Sequence, residues 1–175
     1  MMRRSKKLVD QYQDRVFTFA HYYLGNREEA EDVTQEVLIR LWKYGSNVEN
    51  GKLERWVTKV TRNACFDALR RRKTYRSLVA TTDLADQAYT GIFDSEADPA
   101  MHSETADFQE KVEIALKQID DPYRSILILR EIRDLKYEQI SEALELPLNT
   151  VKAYLHRGRK MLRNKLMCIW EYEKH

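Results

Sequence analysis

The stretch that decides the fold is LKYEQISEALELPLNTVKAYLHRGRKMLRNK, residues 135–165. Apolar side chains recur at helical spacing on both sides of a corner at ELPL. Pro147 ends one helix or begins the next, and Asn149 and Thr150 offer side-chain oxygens to the free amides of the second helix. A short helix, a tight corner and a longer helix are typical of a helix-turn-helix, whose second helix enters the DNA major groove.

The two faces of the second helix differ in composition. Its predicted core stripe is Val151, Leu155, Gly158, Leu162 and Leu166. The opposite face is basic, and no acidic residue occurs from 146 to 167. A helical hairpin with a merely solvated basic face is the alternative interpretation. The proline, the helix cap and the basic face are all typical of a helix-turn-helix, so DNA binding is the favoured interpretation.

The charge is distributed unevenly, although the net charge is only +2. Residues 1–73 carry 16 basic and 10 acidic side chains, residues 74–107 carry 1 and 7, and residues 108–175 carry 13 and 11. Basic blocks therefore flank an acidic middle, and such local patches determine the attraction to a polyanion.

The composition argues against several classes of protein. No apolar run approaches the roughly 20 residues of a membrane span, and no signal core follows the basic start. Cys65 and Cys168 are far apart in the sequence, which favours reduced thiols. We expect a cytoplasmic protein without a metal or another cofactor. The sequence contains no carboxylate cluster, histidine pair or phosphate-binding glycine loop, so we expect no enzyme.

Two amphipathic helices are predicted at the start of the chain. The first covers residues 5–24 and the second residues 27–44, with a stop signal at Gly25 between them. The second leaves an acidic and amide surface outside, which consists of Asp32, Gln35, Glu36 and Ile39. This surface is either simply solvated or a docking face for a basic partner, and the exposed Ile39 favours docking.

A third helix is predicted over residues 53–73, after a polar loop at residues 45–51. One side combines exposed aromatic rings with cations and an amide, as binding of single-stranded nucleic acid requires. We expect this surface to consist of Trp56, Lys59, Arg62, Asn63, Phe66 and Arg70. The alternative is that the basic run at residues 70–73 only favours the C-terminal end of the helix.

The helical pattern disappears after residue 73 and returns at residue 106. We interpret residues 74–105 as a flexible acidic linker with one short helix near residues 84–89. A module of four helices follows, in which we expect Asp121 to cap a helix that begins at Pro122. Arg124, Arg130 and Arg133 are expected to face outward. The predicted fold is therefore all-α, with two small helical domains joined by the linker.

Two sets of residues resemble the extracytoplasmic-function sigma factors of bacterial RNA polymerase. The first is AEDVTQEVLIRLW (30–42) with RWVTKVTRNACFDALRRRK (55–73). The second is DDPYRSILILREIRDLKYEQISEAL (120–144) with LPLNTVKAYLHRGRKML (146–162). Their order and the acidic segment between them also match that family. The resemblance implies a region 2 over residues 1–73 and a region 4 over residues 106–175.

The resemblance also implies partners and roles. Asp32, Gln35, Glu36 and Ile39 would dock on the beta-prime clamp of core RNA polymerase, and the C-terminal module on the beta flap tip. The third helix and the loop at residues 45–51 would open the minus-10 element and capture a flipped base. The groove-facing readers of the minus-35 element would be Lys152, Ala153, His156 and Arg157. The phosphate contacts would come from Asn149, Thr150, Arg159, Lys160 and Arg163. An anti-sigma factor is an implied further partner.

The sequence departs from that family at the corner. Glu145 and Asn149 stand where glycine is common, and Ala153 stands where a small hydroxyl is common. Residues 150–162 also resemble the recognition helix of two-component and quorum-type regulators, which is the alternative function. Such regulators begin with a domain of alternating strands and helices, and residues 1–73 have no convincing strand pattern.

Overall fold

The computed structural model describes residues 2–82 and 104–175, and every regular element in these ranges is helical. The all-α prediction is therefore confirmed. The helices are α1 Met2–Leu24, α2 Arg27–Tyr44, α3 Leu53–Thr82, α4 Glu104–Lys117, α5 Tyr123–Leu127, α6 Tyr137–Leu144 and α7 Leu148–Glu173.

The first three helices pack against one another around a shared apolar core. Gly25 adopts a left-handed φ of 59° and donates its N–H to His21 O at 2.8 Å, which ends α1. Asn26 then caps α2, because its side chain accepts a hydrogen bond from the Glu29 amide at 2.9 Å. The buried apolar core residues of this half are Tyr12, Val16, Phe19, Ala20, Tyr23, Leu24, Ala30, Val33, Val37, Leu41, Val57, Ala64, Cys65 and Ala68.

The C-terminal half packs α7 against α4, α5 and α6. Helix α5 continues into one wider π-helical turn over Ile128–Ile132, so the two together form the second of four helices in this half. Gly158 allows α5 and α7 to approach closely, since a Cβ atom at this position would lie 3.2 Å from the Leu127 side chain. The fully buried residues of this half include Leu116, Ile126, Leu127, Ile128, Leu129, Ile140, Val151 and Leu155.

Three local expectations are corrected by the structure. Helix α3 continues to Thr82 instead of ending at residue 73, since no glycine or proline interrupts it there. Helix α4 begins at Glu104, so both ends of the expected linker are helical. Pro122, not Asp121, directly precedes α5, and no side chain caps that helix. The short helix expected near residues 84–89 lies outside the described residues.

The two halves pack against each other through α1 with α4, α3 with α6, and α1 with the π-helical turn. Their buried apolar residues form one continuous cluster. This arrangement brings the N-terminal half of α3 next to the corner between α6 and α7.

Candidate nucleic-acid interface

The corner between α6 and α7 is held by hydrogen bonds around a left-handed residue. Glu145 has φ 56° and ψ 41°, and its amide bonds to Ser141 O. The Leu146 amide bonds to the same oxygen at 3.1 Å, and the Ser141 hydroxyl donates to Leu146 O. Pro147 follows, and α7 begins at Leu148. Because no side chain caps α7, the expectation that Asn149 and Thr150 cap it is wrong.

Helix α7 presents a buried and an exposed side, as its sequence predicts. Val151, Leu155 and Gly158 of the predicted stripe are buried, whereas its last two members, Leu162 and Leu166, are half-buried. The side chains expected to read the groove all lie exposed on the opposite face: Lys152, Ala153, His156 and Arg157.

The residues expected to bind phosphate differ in their exposure and in whether an acidic side chain already pairs with them. Asn149, Lys160 and Arg163 are exposed, and Thr150 is half-buried. Arg159 Nε instead donates to Glu131 Oε1 of the π-helical turn at 2.6 Å. Glu131 therefore compensates part of the positive charge that Arg159 could offer to a phosphate.

The surface expected on α3 is only partly exposed. Lys59, Asn63 and Arg70 are exposed, whereas Trp56 and Phe66 are half-buried because they pack against the core. The Phe66 ring lies 5.7 Å from the Tyr23 ring. The expectation of two freely exposed aromatic rings on this face is therefore corrected.

Two cations on α3 are paired with an acidic residue of the corner. Arg55 Nη2 and Lys59 Nζ both donate to Glu145 Oε1, at 2.9 and 3.1 Å. The hydrogen bonds from Lys59 and Arg55 lower the pKa of the Glu145 carboxyl. Glu145 thus joins the helix-turn-helix to α3, which local sequence pattern did not indicate.

Arg62 of α3 is held one helical turn further along by the start of α5. It pairs with Asp121 Oδ2 and donates from Nε to Ser125 Oγ at 3.1 Å. Asp121 Oδ1 also accepts from the Tyr23 hydroxyl at 3.2 Å and from the Ser125 hydroxyl. The Arg62 guanidinium lies 4.7 Å from the centre of the Phe66 ring, a cation–π distance.

The acidic surface expected on α2 is exposed and adjoins apolar side chains. Asp32, Gln35 and Ile39 are exposed, and Ile39 keeps 56% of its surface accessible. Glu36 is half-buried and pairs with Arg40 at 2.8 Å. Trp42, one turn after Ile39, is 43% exposed. Its helical spacing from Ile39 was the signal that could have added it to the predicted surface.

A hollow of about 460 Å³ lies between the start of α1 and the loop that precedes α3. Arg4, Lys7, Asn50 and Gly51 are among its lining residues. Arg4 Nη2 donates to Asn50 Oδ1 at 3.1 Å. The sequence predicted the loop as part of the site. It did not predict that basic residues of α1 line the same hollow, and their clustering at residues 3–7 was the only indication of this.

A membrane-spanning helix and a cluster of metal ligands are both absent from residues 2–82 and 104–175. None of the helices there is both long and apolar enough to cross a bilayer. No group of three or more His, Cys, Asp or Glu side chains in these ranges could hold a metal ion.

Comparisons with known proteins match both halves in order. The family model for Sigma-70 region 2 matches residues 8–75, and the model for Sigma-70, region 4 matches residues 109–162. The ECF RNA polymerase sigma factor SigW of Bacillus subtilis is 30% identical over 163 residues, which cover 91% of this chain and 87% of SigW. SigE of Mycolicibacterium smegmatis is 32% identical over 160 residues, but the chain spans only 60% of its length.

Two solved structures share the fold. Sigma factor RpoE, in complex with the anti-sigma factor NepR from Bartonella quintana, matches with a TM-score of 0.68 and 20% identity, covering 93% of this chain and 96% of RpoE. CnrH, in complex with the cytosolic domain of CnrY, matches with a TM-score of 0.69 and 15% identity, covering 96% and 90%.

Proposed function

The chain belongs to the extracytoplasmic-function sigma factors of the sigma-70 family, and we propose that it directs core RNA polymerase to promoters by minus-35 recognition and minus-10 strand opening. Sigma factors are transcription initiation factors and not enzymes. The match to region 2 over residues 8–75 occupies the place where a two-component or quorum-type regulator would have its sensing domain.

The observation that supports this proposal is that exposed cations and amides lie on two separate helices, one in each half: Lys59, Asn63 and Arg70 on α3, and Asn149, Lys152, Arg157, Lys160 and Arg163 on α7. The surface on α7 suits a duplex, since four exposed side chains share the side of the helix opposite its buried stripe. Arg157 and Lys152 can donate to base edges in the major groove, and Ala153 can contact a thymine methyl. Asn149, Lys160 and Arg163 supply phosphate contacts that fix the position of α7.

The surface on α3 suits a single strand. Asn63 offers an exposed amide to a base edge, Lys59 and Arg70 offer cations to phosphates, and the half-buried Trp56 and Phe66 rings lie on the same helix. The hollow beside the loop at residues 45–51 has the size of a small ligand site and lies at the start of the same helix. Flipping a base costs a few kcal/mol, which contacts in such a pocket would offset.

Polymerase docking is assigned to α2 and to the C-terminal half. Asp32, Gln35 and Glu36 offer carboxylate and amide groups to the beta-prime clamp, although Glu36 is paired with Arg40, and Ile39 with Trp42 adds an apolar contact area. Region 4, over residues 106–175, would hold the beta flap tip, and region 2 would cover residues 1–73. An anti-sigma factor is proposed as a further partner, because RpoE was solved with one.

The proposal is tested by capture of core polymerase on the tagged full chain, followed by run-off transcription from a promoter library. We expect association with core and transcripts from a defined subset of promoters. Ile39→Ala should weaken capture, whereas Arg27→Ala, an exposed change at the other end of α2, should not. Absence of any association with core polymerase would contradict the sigma-factor function.

A further inference from the structure

The start of α1 carries four exposed cations that do not stabilise the helix itself. They are Arg3, Arg4, Lys6 and Lys7, and the first turn of α1 contains no acidic residue. Cations near a helix N-terminus oppose the helix dipole, and like charges three or four positions apart repel each other. Within residues 2–82 and 104–175, no carboxylate forms an ion pair with any of the four. Helix stability therefore does not explain this cluster.

Two of the four cations line the hollow of about 460 Å³ beside the loop at residues 45–51. They are Arg4 and Lys7, which lie three positions apart and thus on the same side of α1. We call them the hollow cations. Arg3 and Lys6 are not among the lining residues. Arg4 Nη2 donates to Asn50 Oδ1 at 3.1 Å, so one hollow cation is held directly by the loop.

The carboxylates that line the hollow are already compensated by other cations. Glu49 Oε2 lies 2.5 Å from Lys52 Nζ. Glu54 pairs with Arg15 at 3.0 Å and with Arg133 at 2.8 Å. These carboxylates therefore do not neutralise the hollow cations, whose positive charge remains available to an anion that enters the hollow.

The hollow lies at one end of the strand-binding surface of α3. Leu53, in the first turn of α3, lines it, and the exposed Lys59 and Asn63 follow about 9 and 15 Å further along the helix axis. A strand that follows α3 towards its first turn therefore reaches the hollow with its phosphate backbone. The match to region 2 begins only at residue 8, so the hollow cations lie outside it.

We propose that Arg4 and Lys7 bind a backbone phosphate of the single strand, next to the base that enters the hollow. This proposal rests on the proposed function, because it adds a contact to the same strand-binding surface. The bond to Asn50 holds Arg4 at the loop, and its other guanidinium N–H groups can bind phosphate oxygens in a bidentate manner. Lys7 adds a second positive charge at the same place.

The test compares matched substitutions on two sides of α1. Arg4→Ala and Lys7→Ala each remove a hollow cation. Arg3→Ala and Lys6→Ala remove the same charges from exposed positions that do not line the hollow. Fluorescence anisotropy measures the affinity of the full chain for an oligo-dT single strand of about 12 nucleotides at several salt concentrations.

We expect Arg4→Ala and Lys7→Ala to weaken oligo-dT binding about twofold to fivefold relative to Arg3→Ala and Lys6→Ala. Each should also reduce the slope of log affinity against log salt by about 0.7, the value for one lost phosphate contact on a single strand. Arg4→Lys keeps the charge and should keep the wild-type slope. Equal changes on the two sides of α1, or no oligo-dT binding by the wild-type chain, would overturn the proposal.

Core capture separates this proposal from the proposed function, since it is assigned to α2 and the C-terminal half and is measured without DNA. A chain that captures core polymerase, but whose four alanine variants share one salt slope, would keep the sigma-factor function and lose the phosphate site. Failure of the proposed function would instead appear as loss of core capture by the wild-type chain, whatever the salt slopes of the variants.

Discussion

Arg133 Nη2 lies 2.8 Å from Glu54 Oε1, and this ion pair joins the π-helical turn to the first turn of α3. The Arg133 side chain is only 9% exposed, and burial lowers the pKa of its guanidinium. Glu54 also accepts a hydrogen bond from Arg15 Nη1 at 3.0 Å. One carboxylate therefore compensates two cations, and its removal leaves a desolvated arginine without its anion.

Glu54→Gln should lower the free energy of unfolding by about 2–4 kcal/mol, because breaking a buried pair leaves an uncompensated charge. Urea denaturation followed by circular dichroism measures this change. Glu49→Gln is the control, since its pair with Lys52 is 69% and 61% exposed and should contribute less than about 1 kcal/mol. A similar loss in both variants would contradict the importance of burial.

The core faces of the helices could be predicted from the sequence. Apolar spacing alone indicates that Val16, Phe19, Val37 and Leu155 are buried, and they are. This success is physical, because a helix longer than a few turns must bury its apolar stripe somewhere. The same spacing also indicated which side of α7 would be exposed.

The contacts between the two halves could not be predicted. Arg133 was expected to face outward, yet it is buried against Glu54, which lies 79 residues away. Asp121 was expected to cap a helix, yet its carboxylate holds Arg62. The local sequence pattern does not show how α3 packs against α6. It therefore cannot predict which charged residues pair across that contact. Trp56 and Phe66 were expected to be exposed, yet both pack against the apolar core, where the Phe66 ring lies beside Tyr23 of the same half.

The two cysteines should differ sharply in reactivity. Cys65 is fully buried, and burial raises the pKa of its thiol, so the thiolate fraction stays negligible near neutral pH. Cys168 is exposed on α7. A disulfide-exchange reagent should therefore modify one thiol rapidly in the native protein and the second only on unfolding. Cys168→Ser should abolish the rapid phase, and a rapid phase of unchanged size in that variant would contradict the assignment.

Two basic residues of α7 should contribute differently to binding of a minus-35 duplex. Arg157→Ala should reduce discrimination between sites by about 1–3 kcal/mol if its guanidinium contacts a base edge. Lys160→Ala should weaken binding evenly across sequences and reduce the salt slope by about one charge. Fluorescence anisotropy on a panel of minus-35 duplexes at several salt concentrations separates the two. If the Arg157 variant kept the same preference among minus-35 duplexes, Arg157 would not be one of the residues that read the base edges.

Asn63 should act in strand opening and not in duplex recognition, because it lies exposed on α3 in the half opposite α7. Asn63→Ala should reduce permanganate reactivity of minus-10 thymines in the polymerase complex about tenfold or more, while binding to a minus-35 duplex stays the same. Trp56→Ala should also reduce strand opening without changing minus-35 binding. Because the Trp56 ring packs against the core, the stability of this variant must be measured in parallel. Asn164→Ala, exposed on α7, is the matched control for loss of an amide. Equal loss of minus-35 binding and of opening in the Asn63 variant would show that the two helices do not divide these tasks.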